Sequence, residues 1–198
     1  AVPAALDLKS GELEYFHLQK YRNIGGSEIM AIDSFLFAPS GNTRDRDEIR
    51  GRRYSVFNNN DGLIIPNELN SEAVAISPDF IYCINNASHK VEAYRRDSLV
   101  IIQETHDRRG KRVNLKRLSN PAWSSEILKD YVKTLVVTGN RLIAGTETGK
   151  VLIIDNKNGK LISSHNVNGT PLGLAVAHQS LFISTDRGSL YCFDNNYG

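Results

Sequence analysis

The chain has 198 residues, 40% of them hydrophobic, and its 24 Lys and Arg nearly balance its 22 Asp and Glu, leaving a formal net charge of +2. This composition is typical of a globular domain and gives no general attraction to nucleic acid or anionic membranes. No apolar run reaches the roughly 18 residues that a membrane-spanning helix needs. We therefore expect no nucleic-acid partner and no membrane span.

The N-terminal segment has the pattern of a strand followed by a turn. Residues 5–11 read ALDLKSG, where a short apolar run leads into an Asp with a Gly four residues later. Asp side chains bond nearby backbone amides and Gly accepts a positive φ, so this spacing is typical of a hairpin turn. We expect residues 5–18 to supply a strand that completes a neighbouring repeat unit.

Two weak copies of a strand–turn–strand unit follow, over residues 25–58 and 71–97. The second reads AVAISPDFIYCINNASHKVEAYRRD over 73–97, with turn residues between short apolar runs. Cys83 lies in one such run and Cys192 in a later one, so both are expected to be buried free thiols.

A basic segment, residues 106–117, separates these copies from the rest of the chain. It reads HDRRGKRVNLKR and is expected to be an inserted loop. It is either a solvated loop or an anion-binding or partner-binding loop at one face of the fold. The candidate binding residues are Arg108, Arg109, Lys111, Arg112, Lys116 and Arg117.

Residues 122–132 read AWSSEILKDYV and allow two interpretations. One is a short helix with Ser124 or Ser125 as its N-cap. The other is an irregular outer strand. The pattern does not decide between them.

The strongest signal is a repeat near the C-terminus. Residues 136–159 align with 175–198 at an offset of 39 without a gap, and seven of the 24 positions are identical. The pairs include Thr146/Thr185, Gly149/Gly188 and Asp155/Asp194. Continuous apolar runs indicate strands that are covered on both faces, as stacking of repeat against repeat would require. The last two units are therefore set at 130–161 and 170–198.

These units predict an all-β fold, a β-propeller of four-stranded antiparallel blades with about four blades in this chain. Either the chain is a slice of a larger ring, or residues 12–16 close a four-bladed ring. We favour the slice, because four blades lie at the lower limit for propellers.

Residues 5–16, 142–161 and 181–194 resemble the pyrroloquinoline-quinone-type (quinoprotein-type) propeller repeat, particularly that of large bacterial repeat proteins. The resemblance implies a ring of four-stranded blades. In quinoprotein dehydrogenases a Trp after the Asp-x-x-x-Gly turn docks one blade on the next, whereas the matching places here hold Phe16 and Ser163-Ser164. The adjacent-cysteine disulfide and a recognisable quinone site are also missing, so no cofactor is predicted.

The five histidines share no metal-ligand spacing, and no catalytic residues are predicted. We expect a non-catalytic propeller scaffold or binding module of a larger bacterial protein, in the periplasm or elsewhere outside the cytoplasm. A protein or polymeric ligand would bind on one ring face. The alternatives are a quinone-dependent oxidoreductase propeller and a propeller domain appended to an unrelated enzyme.

Overall fold

The computed structural model describes residues 4–16, 29–40, 53–71, 73–85, 88–98, 100–106, 109–126 and 128–194. Parts of the expected repeat units, including 25–28, 41–52 and 195–198, lie outside these ranges. Within them, no helix is long and apolar enough to cross a membrane. The strands are β1 (Ala4–Leu6), β2 (Leu13–Phe16), β3 (Met30–Ile32), β4 (Phe35–Ser40), β5 (Arg53–Asn58), β6 (Ile64–Asn70), β7 (Val74–Ile76), β8 (Phe80–Asn85), β9 (Lys90–Arg95), β10 (Val100–His106), β11 (Arg112–Leu118), β12 (Trp123–Ser124), β13 (Val132–Thr138), β14 (Arg141–Thr146), β15 (Lys150–Asp155), β16 (Leu161–Asn166), β17 (Pro171–Ala177), β18 (Ser180–Thr185) and β19 (Leu190–Asp194).

The chain divides into two compact units, and all the strand pairs described are antiparallel. Unit 1 comprises Ala1–Asn70 and Val100–Ser119. It holds the four-stranded sheet β3-β4-β5-β6 and two strand pairs, β1-β2 and β10-β11. Strand β11 lies beside β6. In each of these sheets, strands that are consecutive in the chain pair with one another, as is usual for antiparallel sheets.

Unit 2 comprises Ser71–Leu99 and Asn120–Gly198. It holds two four-stranded sheets, β7-β8-β9-β12 and β13-β14-β15-β16, and the three-stranded sheet β17-β18-β19. The sheets stack, with β7 beside β13 and β13 beside β17. The middle sheet is therefore covered on both faces, which accounts for its continuous apolar runs.

Within the part of the chain that the structure describes, one turn occurs three times, each time between the last two strands of a sheet or strand pair. It spans Asp7–Gly11, Asn58–Gly62 and Asp155–Gly159, and in each the glycine N–H donates to the carbonyl of the first residue, at 2.9, 2.8 and 2.9 Å. The glycines have φ of 73°, 64° and 75°, a region that a side chain would strain. The β1-β2 and β15-β16 pairs each have a register shift of the same kind beside this turn. Leu6 pairs with Leu13, and Ile154 pairs with Leu161.

The main core of unit 2 lies between its first two sheets. Tyr82, Ile84 and Val91 from the first sheet are packed with Leu142 and Ile154 from the second, and each is at most 1% exposed. Alternate side chains of a strand point to opposite faces. Ile143 and Val151 accordingly lie on the other face of the second sheet, where they pack with Ile183 of the third.

Unit 1 has its own core. Leu36, Ala38 and Phe57 of the four-stranded sheet pack with Tyr15 of β2, and Ala5 of β1 lies against them. The β1-β2 pair thus covers one face of the sheet β3-β6.

Cys83 is buried in the middle of β8, whereas Cys192 is exposed on β19. The prediction of a buried thiol is confirmed for Cys83 and wrong for Cys192. Burial, together with the nearby charge of Glu92, raises the pKa of the Cys83 thiol. Because the thiolate is the reactive form, we expect Cys83 to resist a thiol reagent until the protein unfolds. Labelling of a Cys192→Ser variant with and without denaturant checks this, and equal rates in the two conditions would contradict it.

Candidate functional site

The predicted basic segment forms a regular hairpin rather than an irregular loop. Strands β10 and β11 pair from Val100–Leu118 to His106–Arg112 without a register shift. The hairpin connects β9 to β12, the third and fourth strands of one sheet. It is therefore an insertion in the middle of a repeat unit. The apolar, β-branched residues at 100–102 were the sequence signal for a strand here.

The structure describes the backbone of five of the six predicted cations, at different positions along the hairpin. Arg109 and Lys111 are exposed in the hairpin turn, and Arg112 begins β11. Lys116 and Arg117 lie farther along β11, paired through their backbones with Ile102 and Ile101. Arg108 lies outside the described residues. The tip of the hairpin therefore presents Arg109, Lys111 and Arg112 together in sequence, and we call these three residues the basic tip.

Arg112 forms an ion pair across the hairpin. Its Nη1 lies 3.2 Å from Oε1 of Glu104, and the two side chains are 76% and 59% exposed. Exposed pairs of this kind contribute about 0–1 kcal/mol, so Glu104 holds Arg112 only weakly. The arrangement can attract an anionic group from solvent.

Aromatic rings dock on the glycines of two of the recurring turns. In unit 2, a Cβ on Gly159 would lie 2.5 Å from Cε3 and 2.7 Å from Cζ3 of Trp123. In unit 1, a Cβ on Gly62 would lie 2.4 Å from Cδ2 and Cε2 of Tyr15. Trp123 lies on β12, the fourth strand of its sheet, and Tyr15 lies on β2 of the β1-β2 pair, and each ring covers a turn of the next sheet along the chain.

Aromatic rings therefore contact glycine turns of neighbouring sheets, although the aligned places after the turns hold Phe16 and Ser163-Ser164. The alignment pointed to Phe16, which is 49% exposed, but the docking residue is its neighbour Tyr15. The repeat spacing does not identify Trp123, because the β10-β11 hairpin separates it from the Asp97 turn that precedes it in the repeat. Residues around Trp123 form the two-residue strand β12, which agrees with the outer-strand interpretation rather than the helix.

A buried aspartate fixes the connection between β12 and β13. Asp130 is 8% exposed and accepts hydrogen bonds from the hydroxyls of Thr146, at 2.6 Å, and Thr148. Thr146 Oγ1 in turn accepts the Lys150 N–H at 3.1 Å. Desolvation raises the pKa of the Asp130 carboxyl, but the hydrogen bonds from Thr146, Thr148 and the backbone outweigh it and hold the pKa below its usual value. The carboxylate is fully engaged in bracing the β14-β15 turn.

A cavity of about 270 Å³ lies between this connection and the outer strands of the second sheet of unit 2. Residues that follow β12 form one wall of the cavity, and residues of β15 and β16 form the other. Its walls combine Leu128, Leu152 and Leu161 with Lys129 and Lys150. Among the described residues, no group of three or more His, Cys, Asp or Glu side chains could hold a metal ion.

Comparison with solved structures shows which known folds the chain resembles. The chain resembles BamB from Moraxella catarrhalis, with 17% identity, a TM-score of 0.61 and coverage of 98% of this chain and 52% of that one. It also resembles the WD40 domain of Toxoplasma gondii coronin, with 13% identity, a TM-score of 0.60 and coverage of 84% and 42%. A computationally designed protein, Ika4, matches with 10% identity, a TM-score of 0.58 and coverage of 84% and 88%.

These likenesses confirm the predicted all-β, propeller-like fold, and the chain spans about half the length of the BamB chain it matches. No curated protein matches the sequence. A family model described as outer membrane protein assembly factor BamB matches residues 84–198, which confirms the resemblance to the quinone-type repeat. Since the match covers more than half of the chain, the protein belongs to the family of outer membrane protein assembly factor BamB.

Proposed function

We propose that this chain is a non-catalytic propeller module that binds other proteins outside the cytoplasm, with the basic tip as one contact surface. The observation that supports it best is the β10-β11 hairpin, an insertion that adds nothing to the sheet it interrupts and carries exposed cations at its turn. Rigid sheets that hold a binding loop are a common way for such folds to recognise partners.

The compartment and the class of partner are part of the same proposal. The family description names a factor in the assembly of outer membrane proteins, which supports a site of action outside the cytoplasm and a protein as the ligand. Because the basic tip is cationic, an acidic segment of the partner is the chemistry that it would recognise.

The charge-reversal variant R109E/K111E tests this surface. We expect the wild-type chain to bind fluorescein-labelled poly-L-glutamate at low salt and the variant to bind about tenfold more weakly, because charged contacts of this kind govern electrostatic recognition. Fluorescence anisotropy at several salt concentrations measures both affinities. Added salt should weaken the wild-type binding, since exposed charges are screened.

The matched control is K157E/K160E, which reverses two exposed cations in the β15-β16 turn of unit 2. It makes the same change in net charge and should leave binding nearly unaltered. If both double variants lose affinity equally, the attraction comes from net charge and the basic tip is not a contact surface.

A further inference from the structure

The sequence contains two Asn-Gly dipeptides, Asn158-Gly159 and Asn168-Gly169, and both lie in unit 2. The first is in the β15-β16 turn and the second is in the connection from β16 to β17. An asparagine before glycine can lose its side-chain amide without an enzyme, because glycine has no side chain to hinder attack by its backbone nitrogen on the asparagine Cγ. The two sites therefore differ in their surroundings and share their local chemistry.

The folded chain protects the first site. The Gly159 N–H donates to the carbonyl of Asp155 at 2.9 Å, and the Trp123 ring covers this glycine. Oδ1 of Asn158 accepts the backbone N–H of Lys160, also at 2.9 Å. The attacking nitrogen is thus held inside the turn, and it cannot reach the Asn158 side chain unless the turn opens.

The second site is arranged differently. Within the residues that the structure describes, the Gly169 N–H donates to no acceptor. Asn168 is exposed, and its Oδ1 accepts a hydrogen bond from Nη1 of Arg187 at 2.9 Å. Attack on the Asn168 Cγ places negative charge on that oxygen, so the guanidinium lies where it stabilises the developing oxyanion.

We infer that Asn168 is a modification site, which converts in the folded chain to aspartate and isoaspartate. The Gly169 nitrogen loses its proton to solvent and bonds to the Asn168 Cγ, and the side-chain nitrogen leaves as ammonia. A water molecule then opens the cyclic imide. Cleavage between the Gly169 nitrogen and Cγ gives aspartate, whereas cleavage at the backbone carbonyl gives isoaspartate. The net reaction exchanges ammonia for water and consumes no oxidant or cofactor.

The isoaspartate product would alter the junction between the second and third sheets of unit 2, because it adds a methylene group to the backbone. In this connection, the Val167 N–H donates to the carbonyl of Gly149 at 2.8 Å, and Oγ1 of Thr170 donates to the carbonyl of Glu147 at 3.1 Å. We expect the longer backbone to weaken both bonds. The site lies outside the unit that holds the basic tip, so this inference and partner binding can fail separately.

The test compares the two sites within one sample. The folded chain is incubated at mildly alkaline pH in water enriched in the heavy oxygen isotope, which marks modification that precedes digestion. Peptide mapping by mass spectrometry then gives the rate at each asparagine. We expect Asn168 to react about tenfold faster than Asn158, the factor for one intramolecular hydrogen bond that must open. In denaturant the two rates should agree, because both residues precede glycine.

Arg187→Gln removes the charge beside Asn168 and leaves the other site intact. It should slow the reaction at Asn168 about threefold, since an exposed charge contributes modestly, and leave Asn158 unchanged. A rate at Asn168 that this variant does not alter would contradict the role of Arg187.

The variant Asn168→Asp carries the product's charge on an unaltered backbone. The isoaspartate form, separated by ion exchange, should therefore unfold at a lower temperature than this variant. Equal rates at Asn158 and Asn168 in the folded chain, or reaction at both sites in denaturant alone, would overturn the inference.

Discussion

Gly159→Ala is expected to lower the free energy of unfolding by about 3 kcal/mol. The substitution places a Cβ 2.5 Å from the Trp123 ring at a residue whose φ is +75°. An alanine in the left-handed region costs about 1–2 kcal/mol, and overpacking a well-filled site costs about 1–3 kcal/mol. Denaturant unfolding followed by Trp fluorescence measures the loss directly, because Trp123 is the protein's one tryptophan.

Gly188→Ala separates the two contributions. Gly188 lies in the same unit and has a φ of +73°, but a Cβ there would meet nothing within 4 Å. It should therefore show the backbone strain alone, about 1–2 kcal/mol. In a Trp123→Ala background, Gly159→Ala should fall to the same value. An equal loss for Gly159→Ala and Gly188→Ala in the wild-type background would show that the ring does not dock on this glycine.

Asp130→Ala is expected to destabilise unit 2 by about 3 kcal/mol at neutral pH. The change removes a carboxylate that accepts hydrogen bonds from Thr146 and Thr148 and leaves the buried Thr146 hydroxyl without that acceptor. Hydrogen bonds to charged groups contribute about 1.5–3 kcal/mol, and a buried polar group left unpaired adds to the loss. Thermal unfolding of the two proteins gives the difference.

The pH dependence of that difference follows from the lowered pKa of Asp130. The folded state binds the proton less readily than the unfolded state, so the contribution of Asp130 is complete above the unfolded value near 3.8. It is lost as the pH falls through the folded pKa, and the gap between wild type and variant should then close. Asp186→Ala is the control, because that exposed aspartate accepts one backbone hydrogen bond, at 2.8 Å, and should matter little. A gap that stays constant in acid would contradict the assigned role of Asp130.

The sequence predicted those features that depend on local pattern. The 39-residue repeat and its turn residues predicted the strands of the last two sheets, because a turn that needs a positive φ restricts its residues strongly. The docking of Trp123 on Gly159 was not predictable from the repeat spacing, since the inserted hairpin displaces the tryptophan from its expected place. The hydrogen bond from Thr146 to Asp130 joins β14 to the connection between β12 and β13, and a contact between such distant segments has no short sequence motif.

Two other features depend on the tertiary environment of the residues, which a sequence pattern does not report. Cys83 and Cys192 lie in similar apolar strands, but Cys83 is buried while Cys192 lies on an exposed face of the last sheet. In the basic segment, the charges suggested a loop, although a strand tolerates charged side chains on a solvated face. The assignment of the six cations to one binding surface, and of the four repeat units to their stated bounds, stays a prediction.

The position of the β10-β11 hairpin also bears on the order in which the polypeptide acquires its structure. In the sheet β13-β16, only a short turn separates the third strand from the fourth, whereas β12 must return to β9 across the whole insertion. Closing the longer connection costs only about 1–2 kcal/mol more, because loop entropy grows slowly with length. The insertion therefore affects the rate of folding more than the final stability. Strands β7, β8 and β9 can pair early through local contacts, whereas Trp123 docks on Gly159 late. Until that closure, the turn at Gly159 would lack the Trp123 ring that covers it.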